Sequence, residues 1–248
     1  MSEGGRAATL AGAPLDAVKL AAAALMLLDH VNTVLLQGGA MWMWRLGRIA
    51  FPLFALVLAC HLARGADPRR AALTLLLFGI PTQPIFALAF PFGTAEASIL
   101  FTLAAGAALA GWVAAAPRWR QFTLGAGLLG AVLLPRIAHT GVDFGLAGML
   151  LPAALLLMLT GPRPEGFAWA MLAILALNAD TWTPPGESWP EKLVLDALAA
   201  GLGGAAVVAA AATLRGRPRF LPRYALHLFY PGHLLALAGL RAAGLGVG

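Results

Sequence analysis

Apolar residues run along the chain in long blocks separated by short clusters of Pro, Gly and charge, without the strict alternation of a half-buried strand. Nine blocks stand out, near 15–36, 41–63, 68–90, 95–116, 119–135, 142–160, 165–180, 191–213 and 220–241. Most are about 17–25 residues long, the length a helix needs to cross about 30 Å of hydrocarbon. They are too rich in Ala, Gly and Leu for the dyad pattern of a membrane barrel, and a helix satisfies its own backbone in lipid. The pattern predicts an all-α, polytopic transmembrane helical bundle of about nine spans, with eight to ten as the range because the fifth and seventh blocks are short. There is no internal repeat or break in composition, so residues 1–248 read as a single integral membrane domain.

Composition changes this picture only by excluding a soluble alternative. Hydrophobic residues make up 60% of the 248 and charged residues 11%, with a mean hydropathy of +0.81. A water-soluble globule could not cover its surface from that stock. The first block carries Lys19, Asp29 and His30, which is not the make-up of a cleaved leader. Cys60 is the only cysteine, so no internal disulfide is available.

The net charge of +6 does not call for a nucleic-acid partner, because most of the cations fall in short loops between spans, where they set topology. Placing the N-terminus in the cytoplasm puts eleven Lys and Arg on the inner side: Arg6, the groups Arg64 to Arg70, Arg118 and Arg120, then Arg163 and Arg215 to Arg223. Only three, Arg136, Lys192 and Arg241, fall outside. A cytoplasmic N-terminus and an odd number of spans follow from that bias.

Lys19, Arg45 and Arg48 remain inside spans, where each would cost about 2.5–3.5 kcal/mol at the centre of a lone helix. Lys19 and His30 lie eleven residues apart, about 20° from a common helical face and about 16 Å along the axis. Asp29 is about 100° round from His30 and is expected to meet a neighbouring helix. Arg45 and Arg48 share a face of the second block and need anions, which Asp29 or a phosphate or carboxylate ligand could supply. Pro52 is expected to bend that helix a turn later. Five ionisable residues in two consecutive blocks point to an interior polar site rather than to scattered packing polarity.

Arg223, His227 and Tyr230 share a face of the last block, and packing, a lipid interface or a site explains them equally well. Gln83, between Pro81 and Pro84, and Asp143 mark breaks or span ends. His61 is expected among headgroups. No zinc spacing, Gly-rich phosphate loop or nucleophile elbow is present, so no metal is expected.

Several segments, in order, carry a resemblance: "LDAVKLAAAALMLLDHVNTVLL", "RLGRIAFPLFALVLACHL", "SILFTLAAGAAL", "VDFGLAGMLLP" and "YALHLFYPGHLLAL". Together they resemble the TraX family of conjugative-transfer membrane proteins, including its TrbP-like branch. The specific part is the combination of the Asp29–His30 pair, the GR-x-x-FPLF segment and the terminal YP-x-HLL. The resemblance implies a multi-pass protein of the bacterial inner membrane that acetylates conjugative pilin at its N-terminal amine or a similar acceptor. The family is similar to a wider group of membrane acyltransferases, including O-antigen acetylases, which take acyl-CoA from the cytoplasm and carry an Arg, ten intervening residues and a His in their first span. Lys19 stands in the Arg place and His30 in the His place. Ser98 stands where the family tends to have Asn.

On that reading acetyl-CoA is the donor substrate. His30 is the general base, since imidazole titrates in the useful range. Asp29 pairs with Arg48 or Arg45, or orients the imidazole through a neighbour. Lys19, Arg45, Arg48, Asn32 and Ser98 hold substrate or its charge, and Asp143, Arg223, His227 and Tyr230 support them. Two alternatives stay open. One is transfer of a phosphoglycerol headgroup from phosphatidylglycerol to pilin; the other is a non-enzymatic membrane factor that binds pilin, with the charges pairing helices.

Overall fold

The computed structural model describes residues 10–90, 96–116, 119–133, 143–161, 163–179 and 186–246, with the backbone alone for Gln121 and Arg163. Of the charges used for orientation, Arg6, Arg118 and Arg136 lie outside these residues. Ten helices occur among the described residues. They are α1 (Gly12–Leu35), α2 (Met41–Gly47), α3 (Ala50–Ala63), α4 (Pro68–Ala89), α5 (Ile99–Ala115), α6 (Arg120–Leu133), α7 (Gly145–Thr160), α8 (Arg163–Leu177), α9 (Trp189–Ala212) and α10 (Ala225–Ala242).

Each apolar block contains a helix, and the second contains two. α1, the Met41–Ala63 segment, α4 and α9 are long and apolar enough to cross a membrane, whereas α5 to α8 are shorter apolar helices. Local chemistry sets several ends. Asp67 accepts the backbone N–H of Arg69 at 2.8 Å and Pro68 follows it, a strong start for α4. Ser188 and Glu191 form a reciprocal capping box at the start of α9.

Two proline expectations change. The break between α2 and α3 falls at Arg48–Ile49, ahead of Pro52, which sits in the first turn of α3. Pro52 has no N–H for the carbonyl of Arg48, so the interruption appears at the residue deprived of its bond. α4, by contrast, runs unbroken through Pro81 and Pro84.

α7 is apolar nearly all round and accordingly sits at the centre, packed by α3, α5, α6 and α8. Close approach there relies on small residues: a Cβ at Gly166 would lie 2.4 Å from the Met158 backbone, and one at Gly106 would meet Pro152 at 2.8 Å. α1 lies to one side against α3, α2, α9 and α10. α10 packs on both α1 and α4, and Arg241 donates to the carbonyls of Ala89 and Leu88 at 2.9 and 3.0 Å, capping the end of α4. The last helix is thereby held beside the first.

Candidate functional site

The contact of α1 with α10 brings His30 and His233 together: His30 Nδ1 lies 2.8 Å from His233 Nε2. His233 Nδ1 lies 2.9 Å from the Phe229 carbonyl, one turn back along α10. Aromatic rings fix both imidazoles. His30 meets Phe90 edge-on with centroids 5.0 Å apart, and His233 stacks on Phe229 at 4.7 Å. Tyr230 meets His233 edge-on at 5.6 Å. The buried Tyr230 hydroxyl lies beside Ser98 and the backbone of Ile99, and Ser98 is itself fully buried. Pro231 has no N–H for the carbonyl of His227, so α10 lacks one rung beside this cluster.

A cavity of about 730 Å³ opens toward the cluster from the end of the bundle where α1 begins. Lys19, Arg70, Arg219 and Arg223 line it, as do His61 and His227. Deeper, its walls are apolar, with Met26, Ile99 and Tyr230 among them. By helical rise Met26 is about 10 Å and His30 about 16 Å along α1 from Lys19, so the histidine pair stands about one turn past the Met26 level. Neither histidine lines the cavity; Tyr230 does, and it touches His233. His61, expected among headgroups, also faces this space.

The cavity mouth depends on Asp16. Its carboxylate accepts from Lys19 Nζ at 3.0 Å and from the backbone N–H groups of Phe220 and Leu221 at 3.1 Å each, and Arg219 stands 3.6 Å away. A single buried acid therefore pins the basic segment that precedes α10 against α1. Lys19 thus carries a counterion three residues back, while its side chain still borders the cavity.

The remaining expected residues separate from this cluster. Asn32 is spent on the turn after α1: its Oδ1 accepts from Ala40 N–H at 2.9 Å, and its carbonyl accepts from Gly38 N–H at 2.9 Å. Arg45 and Arg48 do not grip one anion. Arg45 is bound by Glu187 and stands 3.9 Å from Asp196, which in turn lies 3.6 Å from the fully buried Lys192. These four charges tie α2 to α9. Arg48, where the helix breaks, turns instead over the Trp44 ring at 4.0 Å, with Phe144 at 5.8 Å. Asp29 and Asp143 lie within electrostatic reach of it.

Asp29 therefore faces α2 and not the imidazole of its neighbour, His30. The approach is close, for a Cβ on Gly47 would fall 2.4 Å from Asp29 Oδ1. Asp143 donates its N–H to the Ala97 carbonyl at 2.8 Å, and its own carbonyl accepts from Thr102. Gln83 bridges the same strip, accepting from Ser98 N–H at 2.9 Å and donating to the Glu96 carbonyl at 2.8 Å. Both residues thus shape the backbone that presents Ser98.

Asp16 and His233 were not among the expected site residues. Asp16 precedes Lys19 by three residues, the helical spacing at which a counterion pairs. His233 lies within the YP-x-HLL segment, but its pairing across 203 residues requires the packing of α1 on α10.

The sequence model of one family, described as TraX protein, matches residues 14–241. A protein from Escherichia coli named Protein TraX is 35% identical over 228 residues, spanning 91% of this chain and 86% of that protein. Another of the same name, from Escherichia coli strain K12, is 36% identical over 138 residues, 56% of this chain and 53% of its own length. No solved structure matches.

Proposed function

The chain belongs to the TraX family, and from that premise we propose that it is an inner-membrane acetyltransferase that moves an acetyl group from cytosolic acetyl-CoA to conjugative pilin during pilus maturation. The observation that carries this reading is the cavity with its two unlike ends. Four cations line it with Lys19 at the mouth, and Tyr230 lines its inner end, beside Ser98 and edge-on to His233, the partner of His30. A donor with several phosphates and a long, slender arm ending in a thioester suits that division. The cations neutralise the phosphates, and the apolar walls accept the arm.

The Lys and Arg bias assigns the cavity mouth to the cytoplasm, which is where acetyl-CoA is found. Acyl transfer then requires a base for the acceptor amine or hydroxyl and donors for the oxygen that gains negative charge. His30 supplies the base. Tyr230, edge-on to His233, and Ser98 beside it supply hydroxyl donors, and Tyr230 stands between the donor space and His233. Arg48, with Asp29 and Asp143, forms a charged layer toward the other end of α1, where the pilin acceptor and lipid headgroups approach.

The donor assignment has a direct test. Acetyl-CoA is expected to raise the unfolding temperature of the purified protein in detergent. Lys19→Ala is expected to lower that protection more than Lys19→Arg, because the charge beside Asp16 and the cavity is kept in the second. Arg219→Ala should also weaken it. Stabilisation by phosphatidylglycerol with no response to acetyl-CoA would instead support headgroup transfer.

A further inference from the structure

From the two hydrogen bonds of the histidine pair we infer that His233 is a positioning residue that holds His30 in the one tautomer able to act as base toward substrate. His233 Nδ1 faces a carbonyl, which accepts only, so that nitrogen carries the proton. In the neutral ring Nε2 then holds a lone pair. That lone pair faces His30 Nδ1 at 2.8 Å, so His30 Nδ1 must donate and His30 Nε2 is left with the free lone pair. His233 Nε2 thus takes the orienting place that a carboxylate occupies in many catalytic triads, and the Phe229 carbonyl orients His233 in turn.

This inference rests on the acyl-transfer reading for its chemical consequence. When the acceptor's N–H or O–H gives its proton to His30 Nε2, the new imidazolium donates through Nδ1 to His233 and shares its charge along the chain. The acceptor bonds to the thioester carbon, the C–S bond breaks, and the departing sulfur takes the proton back from His30 Nε2. Atoms and charges balance without any further reactant.

The test is 15N NMR of the full-length protein with labelled histidine. Both rings are expected to be protonated at Nδ1 and not at Nε2, with a 15N–15N coupling across the hydrogen bond between them. A His30 ring protonated at Nε2, or no coupling, overturns the inference, and neither result depends on whether the protein transfers acetyl groups. His233→Gln places an amide oxygen where Nε2 was and should preserve the His30 tautomer; His233→Met should scramble it. In the transfer assay the Met variant should turn over as much as about 10⁴-fold more slowly than wild type, the scale known for loss of a tautomer-fixing partner, with the Gln variant in between. Equal turnover of the Gln and Met variants would also overturn the inference. A wild-type protein with the expected NMR pattern and no transfer would overturn the proposed function alone.

Discussion

His30→Gln should leave the protein inserted, folded and still protected by acetyl-CoA, while turnover falls by about 10²–10⁴-fold, the usual loss when a general base is removed. Gln retains a polar group able to meet His233 but has no basic nitrogen to accept the acceptor's proton. The cavity is lined by Lys19, Arg219 and Tyr230 and not by His30, so donor binding should survive. A histidine that served only to pair α1 with α10 would give the opposite result, a lower unfolding temperature with each folded molecule fully active. Measuring turnover per folded molecule alongside thermal unfolding separates the two.

Asp196→Ala should be the most destabilising of the single changes considered. Asp196 and Lys192 are 1% and 0% exposed, and Asp196 is also the second anion near Arg45. Removing one member of a buried pair leaves charge without its counterion and typically costs about 3–5 kcal/mol. The variant should unfold at a markedly lower temperature in detergent. Because the network ties α2 to α9 at the end of the bundle away from Lys19, the remaining folded protein should keep its acetyl-CoA protection. An unchanged unfolding temperature would mean that the four charges do not hold α2 to α9.

The helices are legible because long apolar runs favour a helix that satisfies its own backbone, and each of the nine blocks coincides with a helix, four of the segments being long and apolar enough to cross a membrane. Their breaks were less legible. Pro52 marks an interruption four residues ahead of itself, whereas Pro81 and Pro84 interrupt nothing, and only the neighbouring helices decide between those outcomes. The site divides in the same way. Lys19, Arg223, His227 and Tyr230 stand out as polar in apolar surroundings and border one cavity, and Ser98, marked only by the family resemblance, abuts it through Tyr230.

Asn32 and Arg45 carry the same sequence signal and serve a turn and an ion-pair network. A polar residue in a span announces that it has a partner without naming it. Lys192 reads in the sequence as an outer loop charge, yet in the fold it is fully buried in that network. For Asp29 and His30, adjacent in sequence, the roughly 100° helical step sends one to Arg48 and the other to His233.

Intact-mass spectrometry of the cognate pilin distinguishes acetyl transfer from both alternatives. Pilin made in the presence of this protein should be heavier by one acetyl group than pilin made without it, and coexpression with His30→Gln should return the unmodified mass. A gain matching phosphoglycerol, or the same pilin mass with and without the protein, would contradict the account.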